Sequence, residues 1–206
     1  MLISLRTLAS EVSSSDKASH YVTHSEFSAD GRYVSFLHRW TENDIRERET
    51  RLIIFDLKNE FHHALPTEGM VSHYIWNKSN GLIAYCKVDK TDCHAFFEVS
   101  VNGKYKKIAS DELNSDGHQS FISENSFITD TYPDKFRMSK IYKVLIDAKE
   151  VSLLASINSP KNFQTKDFKK HIACDLHPRV SPDSRFVSFD AIRNGKRSFC
   201  IMKIET

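Results

Sequence analysis

Short apolar segments alternate with turn sequences along the chain, and the apolar segments are rich in β-branched and aromatic residues. Their length is that of single β-strands, and no convincing amphipathic helix interrupts them. Turn residues such as Asp30-Gly31 and Asn80-Gly81 stand between successive segments, where a hairpin needs them. The hydrophobic pattern therefore predicts an all-β protein.

A histidine opens each of four similar segments, and another apolar run begins nine residues after it. Successive histidines are separated by 49, 45 and 59 residues. A period of this length is typical of a propeller blade of four short strands. We therefore predict a β-propeller with four recognisable four-stranded blades, at residues 24–66, 73–110, 118–158 and 177–206. In such a fold the repeated histidines would face one central channel: His24, His73, His118 and His177.

The fourth repeat is one strand short, and residues 2–10 form an apolar segment that belongs to no repeat. This segment is similar to the last strand of the third repeat, at residues 151–157. A strand at residues 2–10 could complete the last blade and close the ring within one domain spanning 1–206, which would remove two exposed sheet edges. Two alternatives remain open: two chains could exchange these strands in a homodimer, or the chain could be part of a larger propeller.

Composition and charge exclude some classes of protein. The 206 residues are 40% hydrophobic, which is enough for one domain with a core, and the net charge of +2 is too small to indicate nucleic-acid binding. No apolar run reaches the roughly 18 residues of a membrane span, and residues 1–20 lack the apolar centre of a signal peptide. We therefore expect a cytoplasmic protein without a membrane partner. Its four cysteines lack C-x-x-C spacing, which predicts reduced thiols: Cys86, Cys93, Cys174 and Cys200.

Two turn strings, beginning at Ser28 and Ser181, resemble the WD40-like repeats of TolB-type propellers. Five further strings resemble oligogalacturonate lyase and its bacterial relatives, so that the resemblance covers roughly residues 20–205. It implies a propeller that holds a divalent metal, typically manganese, through three histidines and a glutamine. The chain departs from this pattern because it has four recognisable blades and no Gln-x-x-His-x-His string. The five strings are Phe36-Leu-His-Arg-Trp40, Ser72-His-Tyr-Ile-Trp76, Asp116-Gly-His118, Thr129-Asp-Thr-Tyr-Pro-Asp134 and Cys174-Asp-Leu-His-Pro-Arg179.

The residue types in these strings suit a metal-assisted β-elimination. Imidazoles bind first-row divalent ions, so the four repeated histidines are candidate metal ligands. The ion would stabilise the charge that develops when a base removes the proton next to a uronate carboxylate. The candidate catalytic residues, from which the base would come, are Arg39, Tyr132 and Arg179, and His38 is a further candidate base. The residues expected to orient the metal ligands are Asp130, Asp175 and Gln119.

Two functions are compatible with the sequence. The first is a metal-dependent, oligogalacturonate lyase-like polysaccharide lyase that cleaves acidic oligosaccharides. The second is a non-catalytic propeller scaffold that binds glycan or protein. In the second case the repeated histidines would bond a neighbouring backbone and fill the channel.

Overall fold

The computed structural model describes residues 3–42, 44, 47–99, 104–108, 111–113, 115–165 and 172–204. These residues form one short helix and a long series of strands, and within them no helix is long and apolar enough to cross a bilayer. The elements are α1 (Leu5–Ser10), β1 (Ser19–Phe27), β2 (Tyr33–Thr41), β3 (Glu49–Asp56), β4 (Phe61–Ala64), β5 (Val71–Trp76), β6 (Gly81–Val88), β7 (Thr91–Glu98), β8 (Lys104–Ile108), β9 (Ser120–Ser123), β10 (Ser126–Asp130), β11 (Met138–Leu145), β12 (Glu150–Asn158), β13 (Arg179–Val180), β14 (Phe186–Arg193) and β15 (Lys196–Lys203).

The strands form four antiparallel sheets in which neighbours in sequence are neighbours in space. The first sheet holds β1–β4, the second β5–β8, the third β9–β12 and the fourth β13–β15. This order confirms the predicted all-β architecture of successive blades. The chain divides into two compact units, Met1–Lys107 with the first two sheets and Ile108–Thr206 with the last two.

The predicted strand at residues 2–10 is wrong, because Leu5–Ser10 is helical. The Ser4 side chain accepts a hydrogen bond from the Thr7 backbone N–H at 3.0 Å, which caps the first turn. Leu5 and Leu8 are three residues apart and therefore share one helix face, on which Leu8 is buried. The segment is not the strand expected to complete the fourth blade, whose sheet has three strands among the described residues.

Strand alternation gives the first sheet two different faces. Leu37 pairs with Leu52, and both side chains are buried in the core between the first and second sheets. Phe36 and His38 point to the opposite face, because neighbours along a strand alternate.

The central strand β6 of the second sheet is almost wholly buried, as a strand packed on both sides must be. In the second unit, Ile128, Ile141, Val187, Phe189 and Ala191 belong to an equivalent core.

The turn string recognised in the sequence forms the same hydrogen bonds in the first and fourth sheets. In the first, Asp30 Oδ1 accepts from the Ser28 hydroxyl at 2.8 Å and from the Arg32 backbone N–H at 2.9 Å. In the fourth, Asp183 Oδ1 accepts from the Ser181 hydroxyl at 2.6 Å and from the Arg185 N–H at 3.2 Å. The repeated Ser-x-Asp pattern therefore stabilises a local turn.

Replacing Trp76 by phenylalanine is expected to lower the free energy of unfolding by about 1–2 kcal/mol. The buried Trp76 Nε1 donates to Ser35 Oγ at 2.7 Å, and the ring stacks on Tyr33 with 6.1 Å between ring centroids. The variant loses this bond and leaves space beside Tyr33. Urea unfolding followed by circular dichroism measures the loss. Trp40→Phe, at a less buried position, is the matched control, and an equal loss in both variants would contradict the prediction.

Candidate functional site

The Asp130 carboxylate organises a cluster of predicted site residues in the second unit. Asp130 ends β10 and is 2% exposed. Its Oδ1 accepts from the His118 backbone N–H, and its Oδ2 accepts from the His177 backbone N–H at 3.1 Å. The segments that lead into the third and fourth sheets are thus held by one side chain. The sequence predicted Asp130 as an orienting residue, and the structure places it between two of the four repeated histidines.

Asp130 also determines the tautomer of His118. The His118 Nδ1 atom lies 3.0 Å from Asp130 Oδ1 and 3.1 Å from Oδ2. A carboxylate accepts hydrogen bonds and cannot donate one, so Nδ1 carries the hydrogen and the basic lone pair is on Nε2. An aspartate that orients an imidazole in this way is the arrangement found behind metal-bound histidines and histidine general bases.

Gly117 permits the close approach on which this cluster depends. A Cβ atom at this position would overlap the Asp130 backbone carbonyl and lie 2.7 Å from Thr129 Oγ1. No side chain fits there without a shift of the β10 backbone. A glycine at position 117 is therefore required for His118 to contact Asp130.

His177 and Tyr132 surround the His118 ring. The His118 and His177 ring centroids are 3.7 Å apart, and the Tyr132 ring meets His118 edge-on at 6.0 Å. Burial and the neighbouring His118 lower the pKa of His177, which favours its neutral form. Burial and the nearby Asp116 and Asp175 carboxylates raise the pKa of Tyr132. At neutral pH the phenol therefore keeps its proton and acts as a donor, which disfavours its predicted use as a base.

Gln119 and Arg179 were also predicted as site residues, and they make different contacts from each other. Gln119 is buried and donates from Nε2 to the Gly117 carbonyl at 2.9 Å, while its Oε1 has no hydrogen-bond partner within the described part of the chain. Arg179 is exposed and donates to the Pro178 carbonyl at 2.9 Å. The structure brings Asp175 into the electrostatic surroundings of both Tyr132 and His177.

The other two repeated histidines lie in the first unit. His24 and His73 each lie where the pairing of the first strand with the second shifts register, in β1 and β5. His24 adopts φ 56°, and the Tyr74 hydroxyl donates to its carbonyl. Burial, Arg39 and His73 lower the pKa of His24, so these groups share one neighbourhood. The repeated histidine therefore marks a bulge in both sheets of this unit.

Arg39 is a buried cation beside these histidines. It is 8% exposed, and among the described residues its Nε has no hydrogen-bond partner. Burial and the adjacent Arg48 lower its pKa. Sequence reasoning named Arg39 but missed Arg48, which lies in a charged run typical of a solvated loop. Two guanidinium groups at this place favour an anionic ligand.

The predicted metal site stays a prediction. Each unit contributes two of the four candidate ligands, and His118 has the tautomer of a metal ligand. Within the residues that the structure describes, no group of three or more His, Cys, Asp or Glu side chains is arranged to hold a metal ion.

No protein-family model matches the chain, and no curated protein sequence matches it. Among solved structures, TolB from Acinetobacter baumannii is similar with a TM-score of 0.56 at 10% identity, over 90% of this chain and 41% of TolB. A puromycin hydrolase S511A mutant gives a TM-score of 0.62 at 10% identity, over 89% of this chain and 27% of that one. Oligogalacturonate lyase in complex with manganese gives a TM-score of 0.53 at 13% identity, over 93% of this chain and 67% of that one.

The chain thus spans less than half the length of TolB and about a quarter of puromycin hydrolase. At identities of 10–13% the similarity establishes the fold alone. The successive antiparallel sheets and these neighbours agree, and the predicted fold is confirmed: the chain has the β-propeller fold shared by TolB and oligogalacturonate lyase.

Proposed function

We propose that the protein is a lyase-like propeller that acts on acidic oligosaccharides by β-elimination. The observation that carries the proposal is the His118–Asp130 pair, in which the carboxylate fixes the imidazole with its basic lone pair on Nε2. Such an imidazole can remove the weakly acidic proton next to a uronate carboxylate. The resemblance of the Asp116-Gly-His118 and Thr129–Asp134 strings to oligogalacturonate lyase supports the same reaction.

The elimination assigns a role to each group in the cluster. His118 Nε2 takes the proton from the carbon next to the carboxylate, and the electron pair left behind forms a carbon–carbon double bond as the β C–O bond breaks. The departing oxygen receives a proton from the Tyr132 phenol, whose raised pKa keeps it protonated before the reaction. Arg39 and Arg48, considered within the first unit alone, are a separate candidate site for the carboxylates of an acidic oligosaccharide. A divalent ion would add Lewis-acid stabilisation of the enolate-like charge.

The test is an assay for the unsaturated sugar product, by its ultraviolet absorbance, with oligouronates of different linkage and with and without added manganese. His118→Gln and Tyr132→Phe are each expected to lower the rate about 10²–10⁴-fold, because each removes one proton transfer. Tyr105→Phe is the matched control, since Tyr105 bonds Asp89 far along the chain from the cluster, and it is expected to keep full activity.

Metal binding is measured separately, as the manganese or zinc content of untagged protein by plasma mass spectrometry. A His118→Ala/His177→Ala double variant that loses a bound ion would support metal binding at these two histidines. Activity without any ion would support the His118 base alone.

The buried Arg39, whose Nε has no hydrogen-bond partner among the described residues, favours a second function, a scaffold that binds acidic glycan without cleaving it. In that case wild-type protein binds the oligouronate in calorimetry and forms no unsaturated product under any metal condition. The lyase proposal is then wrong. Arg39→Met would still be expected to weaken binding.

A further inference from the structure

A series of hydrogen bonds in the first unit joins helix α1 to the first sheet. It links six side chains, which we name the histidine relay, in the order Ser14, His20, His38, Arg51, Glu11 and His62. The successive distances are 3.2, 3.1, 3.0, 2.9 and 2.8 Å. Arg51 Nη2 also donates to the Leu8 carbonyl at 2.9 Å, in the last turn of the helix. The relay therefore fastens the end of α1 to β3.

Arg51 determines the direction of every bond toward Ser14. Its Nε–H can only donate, so His38 Nδ1 accepts and the hydrogen of neutral His38 is on Nε2. That hydrogen is donated to His20 Nδ1, and His20 Nε2–H is then donated to Ser14 Oγ. His20 consequently points a hydrogen at the serine and does not activate it as a nucleophile. The relay is structural, and it requires a neutral His38.

Protonation of His38 is incompatible with the relay. A second ring hydrogen would be placed on Nδ1, facing the Arg51 Nε–H. Burial, Arg51 and His20 lower the pKa of His38 to about 4, and Glu11 opposes this shift from the end of α1. His38 has its ordinary pKa of 6.5 when α1 is released and a lower pKa when α1 is latched. Neutral His38 therefore favours the latched structure above pH 6.5. That stabilisation is lost as the pH falls from 6.5 towards about 4.

We propose that the histidine relay is an acid-sensitive latch that releases α1 from the first sheet. The helix lies beside an open cavity of about 350 Å³, whose lining includes Leu5 and Leu8 of the helix and Val22, Val34 and Phe36 of the sheet. Leu8 and Val34 are buried in the latched structure, and release of α1 exposes them. Acid would thereby enlarge the apolar surface on this face of the first sheet.

The size of the response follows from the pKa difference at His38. Between about pH 8 and about pH 5, the ratio of released to latched protein is expected to rise about 30-fold. Hydrogen–deuterium exchange of a peptide containing α1, corrected for the intrinsic rate at each pH, measures this ratio.

Three variants test the latch. In His38→Gln, the amide oxygen can accept from Arg51 and the amide nitrogen can donate to His20, so the helix stays latched and its pH response disappears. In Arg51→Gln, the helix is expected to exchange at least about 10-fold faster at both pH values, because its bonds to Leu8 and Glu11 are lost. His63→Gln is the matched control, because burial also lowers the pKa of His63, which lies outside the relay.

The fluorescence of Trp40 provides an independent measurement of the latch. The Trp40 ring centroid lies 5.2 Å from that of His38 and 6.1 Å from that of His20. Tryptophan fluorescence is expected to change with the same midpoint as α1 exchange, and to lose this change in Trp40→Phe and in His38→Gln. An acid response that persists in His38→Gln overturns the proposal. So does α1 protection that is unchanged in Arg51→Gln.

Discussion

Replacing Gly117 by alanine is expected to lower the free energy of unfolding by more than about 3 kcal/mol and to abolish any activity of the second unit. The added methyl group would overlap the Asp130 carbonyl and lie 2.8 Å from its carbon. These are backbone atoms of β10, so no rotamer change relieves the overlap. The strand must shift, and the bonds from Asp130 to His118 and His177 are lost with it.

The measurement is urea unfolding followed by far-ultraviolet circular dichroism, which reports on the strands of both units. Gly31→Ala is the matched control. No atom lies within 4 Å of a Cβ at that position, and its cost is limited to a backbone with φ +71°, about 1 kcal/mol. Equal losses in the two variants would show that the close approach at Gly117 is not needed.

Asp130→Asn is expected to cost about 2–4 kcal/mol, although the side chain keeps its shape. Asp130 accepts from two backbone N–H groups and from His118 Nδ1. An asparagine offers one oxygen, and its NH₂ group would face at least one of these donors. A buried donor then has no acceptor, and His118 loses the charged partner that determines its tautomer.

Nitrogen NMR of the imidazoles tests the second consequence directly. In wild-type protein His118 is expected to carry its hydrogen on Nδ1, and in Asp130→Asn this preference should weaken because a neutral amide oxygen is a weaker acceptor than a carboxylate. Asp183→Asn, in an exposed turn with similar local bonds, is expected to cost less than about 1 kcal/mol. An unchanged His118 tautomer in Asp130→Asn would contradict the role given to the carboxylate.

The strand pattern and the turn residues were sufficient to predict the fold, because each blade is built from neighbouring segments with local turn chemistry. Residues 2–10 were misread because Leu2, Ile3, Leu5 and Leu8 suit a strand almost as well as a helix. The Ser4 cap and the three-residue spacing of Leu5 and Leu8 favour the helix.

The contact between His118 and Asp130 could be anticipated, because the strings that resemble a known family contain both residues. The Asp116-Gly-His118 and Thr129–Asp134 strings contain the residues that meet. The histidine relay was not predictable, because it depends on strand register. His38 faces Arg51 only because the two are paired across β2 and β3, and a shift of one residue would turn their side chains to opposite faces.

The order of strands within the sheets has a consequence for biosynthesis. Every strand pairs with the one made just before or just after it, so each sheet closes loops of short sequence separation. A chain emerging from the ribosome can complete the first sheet before the second has been translated. Each sheet is complete as soon as its own last strand has been made, so apolar strands stay unpaired and open to aggregation only for a short time.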